Sequence, residues 1–261
     1  MDTPNPDRGP LSGGPSGRGA DRPGSEVALS VVVMAFDEAA SLETVVGELQ
    51  ETLRRLDVPY QLLIVDDGSG DDTGAIADQL AADADAVDVI HHDTNRGLGG
   101  VYRTGLYGAR GRFVSFFPAD GQFAPAALEA FWPLAEQHDL ILGYLPDRRY
   151  SLLGGVLSRI ERMLHWLLFG STPRFQGVFL LRRALLDAYP LGSSGRGWGI
   201  IVEMILRTQR GGFRITSVPT RLRPRMAGRS KVQNLGTVWS NLFQVLQVRW
   251  LLWTDRSGSD G

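Results

Sequence analysis

Gln61-Leu62-Leu63-Ile64-Val65-Asp66-Asp67-Gly68-Ser69-Gly70-Asp71-Asp72-Thr73 passes directly from an apolar run into acids, glycine and serine. Leu62 to Val65 are apolar at every position, so residues 61–65 describe a strand covered on both faces, as in a parallel sheet. The polar residues that follow form a turn, and helical spacing resumes over 71–82. The same grammar repeats on either side. Leu29–Ala35 is a continuous, β-branched run, and 41–56 carries Leu42, Val45, Val46, Leu49 and Leu53 at helical spacing. Strands are expected at Val87–His91, 113–117 and Leu140–Tyr144, with helices over 98–109 and 125–137. This alternation predicts an α/β fold, a mostly parallel sheet with helices on both faces. Such sheets bind ligands beyond the carboxyl ends of their strands.

The 261 residues are 43 % hydrophobic and 21 % charged, a composition suited to a packed core. The absence of cysteine excludes disulfides, thiolate metal sites and a cysteine nucleophile. Residues 1–26 hold 14 Gly, Pro or Ser without apolar periodicity and are expected to form a disordered tail. No basic-then-apolar leader begins the chain, and no run of about 18 apolar residues is uninterrupted. These features point to a cytoplasmic protein. Helical spacing returns over 152–169 and 235–253. The second of these sets Thr237, Ser240, Asn241, Gln244 and Gln247 against Leu235, Val238, Trp239, Leu242, Leu246, Trp250 and Trp253. An amphipathic helix of this kind lies on a membrane surface or packs on the protein's own core. The division expected is a tail (1–26), one α/β domain (27–232) and a C-terminal amphipathic helix with its own tail (233–261).

The net charge of −2 conceals a strong division. Residues 1–147 hold 24 acids and 9 bases, a net of −15, whereas 148–254 hold 3 acids and 17 bases, a net of +14. Such asymmetry implies an anionic partner for the second half. The arginines are interrupted by long apolar stretches and carry no nucleic-acid motif, which disfavours nucleic acid as that partner.

Four segments fall where the sheet should present its ligand: Met34-Ala35-Phe36-Asp37-Glu38, Asp66-Asp67-Gly68-Ser69, Asn95-Arg96-Gly97-Leu98-Gly99-Gly100 and Pro118-Ala119-Asp120-Gly121-Gln122. Carboxylates at strand ends accept hydrogen bonds from a nucleoside or hold a divalent ion on a diphosphate. Taken in this order, from about Leu29 to Lys231, the segments resemble the family 2 glycosyltransferases, and most closely the dolichyl-phosphate mannose synthase and polyprenyl-phosphate glycosyltransferase branch. The resemblance implies a GT-A, Rossmann-like fold and an inverting transfer of a hexose from GDP-mannose or UDP-glucose to a polyprenyl phosphate. Mg²⁺ or Mn²⁺ would be the cofactor, and the protein would sit peripherally on the inner face of the plasma membrane. Ala35, Phe36 and Glu38 would line the nucleotide, Ile64 and Asp66 would contact its base, and Ala119 would lie against the donor. Asp120 and Gln122 would hold the metal. Arg225-Met226-Ala227-Gly228-Arg229-Ser230-Lys231 resembles the family's Arg…Gly-x-Ser-Lys segment, so that Arg225 and Lys231 would hold phosphates.

Three departures stand out. Phe36 and Asp37 replace the commoner Tyr and Asn, and Pro118 replaces the first aspartate of an Asp-Ala-Asp triplet, removing one carboxylate. Gln247-Val248-Arg249-Trp250 is one residue short of the Gln-x-x-Arg-Trp motif of processive synthases and belongs to the amphipathic stretch. Glu203 is the main candidate for a general base if the acceptor were a hydroxyl, or else a structural ion pair with an arginine. His91 and His92 end a strand near the nucleotide, but two adjacent histidines do not make a metal site. A soluble glycosyltransferase acting on a small-molecule hydroxyl and a non-catalytic nucleotide-sugar-binding module are the competing functions. A nucleotidyltransferase is disfavoured because the only lysine is Lys231.

Overall fold

Seven strands form one sheet in the order β3-β2-β1-β4-β6-β5-β7 in the computed structural model, which describes residues 26–146, 173–193 and 195–226. The expected tail up to residue 25, the helices over 152–169 and 235–253, and Lys231 lie outside the described residues.

The first five strands fall where the apolar runs place them: β1 Leu29–Ala35, β2 Tyr60–Asp66, β3 Val87–His91, β4 Phe113–Pro118 and β5 Leu140–Tyr144. Between them run α1 (Leu42–Leu56), α2 (Thr73–Asp83) and α3 (Gly97–Gly108). The helix expected over 125–137 is shorter. It is α4 (Ala127–Phe131) followed by a 3₁₀ turn, Trp132–Leu134. Pro133 lacks an N–H and its ring crowds the carbonyl four residues back, so the α-helix cannot run through it. Two further strands, β6 (Phe179–Arg182) and β7 (Ile215–Pro219), and the helices α5 (Leu185–Ala188) and α6 (Gly199–Arg210) complete the described fold. β6 alone runs antiparallel to its neighbours β4 and β5.

The strand runs are apolar at successive positions because both faces are covered. Val31, Val33, Leu62, Ile64, Phe113 and Phe117 pack under α1, where Leu42, Val46, Leu49 and Leu53 are fully buried. The alternate residues Val32, Leu63, Val65 and Phe116 meet Val101, Tyr102 and Leu106 of α3 and Ile201 and Met204 of α6 on the other face. Register then sets the functional edge. Ala35 pairs with Asp66, and Met34 pairs with both Val65 and Pro118, so the carboxyl ends of β2, β1 and β4 stand side by side. Three of the four sequence segments therefore emerge from adjacent strands.

Candidate active site

The loop after β1 is fastened to the loop after β2. Asp37 has φ 49°, a left-handed conformation that Asp tolerates better than most residues. Its Oδ1 accepts the Gly70 N–H at 2.8 Å, and its own N–H donates to Ser69 Oγ at 2.9 Å. The Glu38 N–H donates to Thr73 Oγ1 at 2.8 Å. These bonds fix the backbone of Phe36 to Glu38, where Phe36 is half-buried.

The two aspartates after β2 do different work. Asp66 Oδ1 accepts from the Ser69 N–H at 3.1 Å and from the Ser69 hydroxyl at 2.5 Å, and its Oδ2 meets His91 Nδ1 at 2.9 Å. His91 Nε2 reaches Asp78 Oδ1 at 3.1 Å. Burial alone would lower the His91 pKa, but hydrogen bonds to Asp66 and Asp78 outweigh it and the net direction is upward. Asp67 faces the other way. It accepts from the Arg96 and Gly97 N–H groups at 2.8 and 2.9 Å and pairs with His92 Nδ1 at 2.6 Å, while His92 Nε2 meets Thr104 Oγ1 at 2.8 Å. Asp67 and His92 thus lock the third segment onto the second. Neither set of loop contacts was apparent from the sequence, where the resemblance gave a role to Asp66 alone.

The glycines opening α3 serve close packing. Gly99 donates its N–H to the Arg196 carbonyl at 3.0 Å, and a Cβ on Gly99 would lie 1.9 Å from the Gly195 carbonyl oxygen. Arg196 also donates to the Asn95 carbonyl and side chain at 2.7 and 2.6 Å. Below this loop sits Glu203, fully buried in α6. Its Oε1 accepts from the Gly192 N–H at 2.9 Å and Arg207 Nε at 2.7 Å, and its Oε2 accepts from the Ser193 N–H at 2.7 Å. Glu203 is therefore the structural ion pair rather than an exposed base.

The fourth segment carries the metal candidates. Asp120 is 6 % exposed. Its Oδ1 accepts from the Gln122 N–H at 3.0 Å and its Oδ2 accepts from Arg225 Nη2 at 2.7 Å. Arg225 Nη1 stands 3.4 Å from Glu38 Oε1. Glu38, Asp120, Gln122 and Arg225 are thereby brought together across 187 residues of chain, beside Ala35 and the fully buried Ala119. Ile64 stands apart, fully buried in the core two positions before the end of β2.

The donor set decides whether a divalent ion suits these residues. Asp120 and Gln122 offer hard oxygens, Pro118 offers none, and no group of three or more His, Cys, Asp or Glu gathers among the described residues. One carboxylate and one amide cannot cage an ion alone. Mg²⁺-type ions are commonly held by one or two carboxylates while substrate phosphates supply further oxygens. The residues fit an ion that arrives with a diphosphate.

The profile of glycosyl transferase family 2 matches residues 30–189, which span β1 through all four segments. The chain belongs to glycosyltransferase family 2. Undecaprenyl-phosphate mannosyltransferase of Micrococcus luteus is 30 % identical over 236 residues, covering 84 % of this chain and 94 % of that protein. Polyprenol monophosphomannose synthase of Mycolicibacterium smegmatis is 30 % identical over 215 residues, covering 77 % and 80 %. Glycosyltransferase AglD of Haloferax volcanii is also 30 % identical, over 87 % of this chain, which spans only 38 % of that longer protein. Among solved structures, glucosyl-3-phosphoglycerate synthase of Mycobacterium tuberculosis, in complex with Mn²⁺, UDP and glucosyl-3-phosphoglycerate, superposes with a TM-score of 0.59 at 21 % identity, covering 84 % of this chain and 80 % of that one. That likeness establishes the GT-A-type fold. This family 2 enzyme is a glycosyltransferase, and no helix among its described residues is long and apolar enough to cross a membrane.

Proposed function

We propose that this enzyme transfers a hexose, with inversion, from a nucleotide diphosphate sugar to a polyprenyl phosphate. One observation carries the proposal: Arg225 joins Glu38 and Asp120 beyond the ends of β1 and β4, with Asp66 closing the neighbouring β2, while the candidate base Glu203 is locked beneath a loop. A phosphate monoester has a second pKa of roughly 6 and attacks as an oxyanion, so no base is required. The acceptor oxygen bonds to the anomeric carbon as the bond to the β-phosphate oxygen breaks, and the nucleoside diphosphate departs with the electron pair. Asp120 and Gln122 would hold Mg²⁺ or Mn²⁺, which when bound neutralises charge on the leaving diphosphate. Arg225, and Lys231 by resemblance, stabilise the same developing charge. Phe36 offers a stacking face to the base and Asp66 an acceptor. Mannose is the preferred sugar, because two of the relatives are named for mannose and a polyprenyl carrier, and GDP-mannose is the donor proposed to bring it. The basic character of residues 148–254 suits the anionic acceptor and a peripheral position on the inner membrane face.

Calorimetry with GDP-mannose, UDP-glucose and UDP-N-acetylglucosamine, each with and without Mn²⁺, tests the donor half. Binding of one donor that depends on Mn²⁺ and disappears in Asp120→Asn is the expected result. Binding indifferent to both ion and variant would refute the site.

A further inference from the structure

Arg225 and a divalent ion make the same demand on one oxygen. Asp120 Oδ2 accepts the Arg225 guanidinium at 2.7 Å, in a pair whose side chains are 8 % and 21 % exposed. A carboxylate this buried needs a positive partner, since an unpaired buried charge is strongly destabilising. The arginine is held there by its own backbone. The Met226 N–H donates to the Asp120 carbonyl at 3.2 Å and the Arg223 N–H to the Gln122 carbonyl at 2.7 Å, while Leu222 bridges Phe123 in antiparallel fashion. Arg223 Nη1 is anchored on Glu48 Oε2 at 2.8 Å, and the Thr220 N–H bonds to the Tyr144 carbonyl at 2.7 Å. Residues 220–226 thus form a strap along the 120–123 loop, and only the Arg225 side chain has to turn to release Asp120.

We infer that Arg225 is the resident counter-ion of the metal site and that loading the site is an exchange. The ion takes Asp120, and Arg225 passes from the carboxylate to the diphosphate that accompanies the ion. This rests on the metal and donor assignment proposed above. Two cations close to one carboxylate repel each other, so the ion alone competes poorly with a tethered guanidinium. A diphosphate removes the conflict by offering the guanidinium a forked partner of its own. Arg225 therefore couples metal binding to donor binding. The enzyme would not retain a bare ion between turnovers.

The experiment is a Mn²⁺ titration followed by electron paramagnetic resonance, with and without GDP or UDP, on wild type, Arg225→Gln, Arg225→Lys and Asp120→Asn. Arg225→Gln should bind Mn²⁺ alone at least about tenfold more tightly than wild type, a gain of about 1.4 kcal/mol. Nucleotide should then raise its Mn²⁺ affinity by a smaller factor than it raises that of wild type. Arg225→Lys, which keeps the charge, should stay near wild type, and Asp120→Asn should lose the site. If Arg225→Gln binds Mn²⁺ no more tightly while binding still depends on Asp120, the exchange is wrong and the metal site stands. If Mn²⁺ binding ignores Asp120→Asn, the metal assignment falls, and the exchange with it.

Discussion

Glu203 holds three donors from full burial, two of them N–H groups of the loop that covers the start of α3. Glu203→Ala would remove the buried carboxylate that Arg207 and both amides share, an expected loss of about 3–5 kcal/mol. At this chain length that corresponds to a fall in Tm of roughly 10 °C, measurable by calorimetry. Glu203→Gln, assayed at a temperature where it is folded, should keep its turnover; near-total loss of kcat with Tm unchanged would instead make Glu203 a base for a hydroxyl acceptor. His91 provides a pH signature. Its pKa is raised in the folded protein, so its contribution to stability is full below its unfolded value of about 6.5 and is lost as pH rises through the higher folded value. The Tm advantage of wild type over His91→Gln should shrink from pH 6 towards pH 8 (about 1 unit either side of neutrality); an advantage that grew with pH would contradict the Asp66–His91–Asp78 bridge. The candidate site residues were singled out through the resemblance to family 2 enzymes rather than by residue types alone. Asp120 and Arg225 carried recognisable neighbours, and the structure brings them within 2.7 Å. The work of Asp67, Ser69, Thr73 and His92 could not be read, because it consists of hydrogen bonds between loops that approach each other only after the strands pair.

At the scale of elements, legibility followed the source of each signal. β1 to β5 and α1 to α3 are written as runs and periodicities that arise from burial, and they fold where those patterns lie. β6 lies in an apolar run of only four residues, Val178 to Leu181, too short to separate a strand from a buried turn of helix, and β7 is half-exposed along its length and leaves no continuous apolar run. Pro133, inside the span expected to be helical, ends α4 and leaves a 3₁₀ turn in its place. Glycines separate the two kinds of helix position. Gly47 lies in α1 with nothing within 4 Å of an added Cβ, so Gly47→Ala should stabilise by about 0.5–1 kcal/mol. In Gly99→Ala the same methyl would strike the Gly195 carbonyl oxygen, so this variant should lower Tm and loosen the Arg196–Asn95 contact. If both substitutions raised Tm, the packing of the 195–199 loop on α3 would be wrongly placed.

Over the whole molecule, the acidic half carries the four strand-end segments, and the basic half contributes the strap and its Arg225. That division matches a reaction whose donor site is built from carboxylates and whose acceptor is an anion tethered to a membrane. The most direct measurement uses detergent-dispersed undecaprenyl phosphate and undecaprenol as parallel acceptors, with Mn²⁺ and labelled GDP-mannose or UDP-glucose, counting label extracted into organic solvent. Label should enter the organic phase with the phosphate acceptor only, depend on Mn²⁺ or Mg²⁺, and vanish in Asp120→Asn. Equal or better transfer to the alcohol, or transfer only to a water-soluble hydroxyl acceptor, would contradict the account.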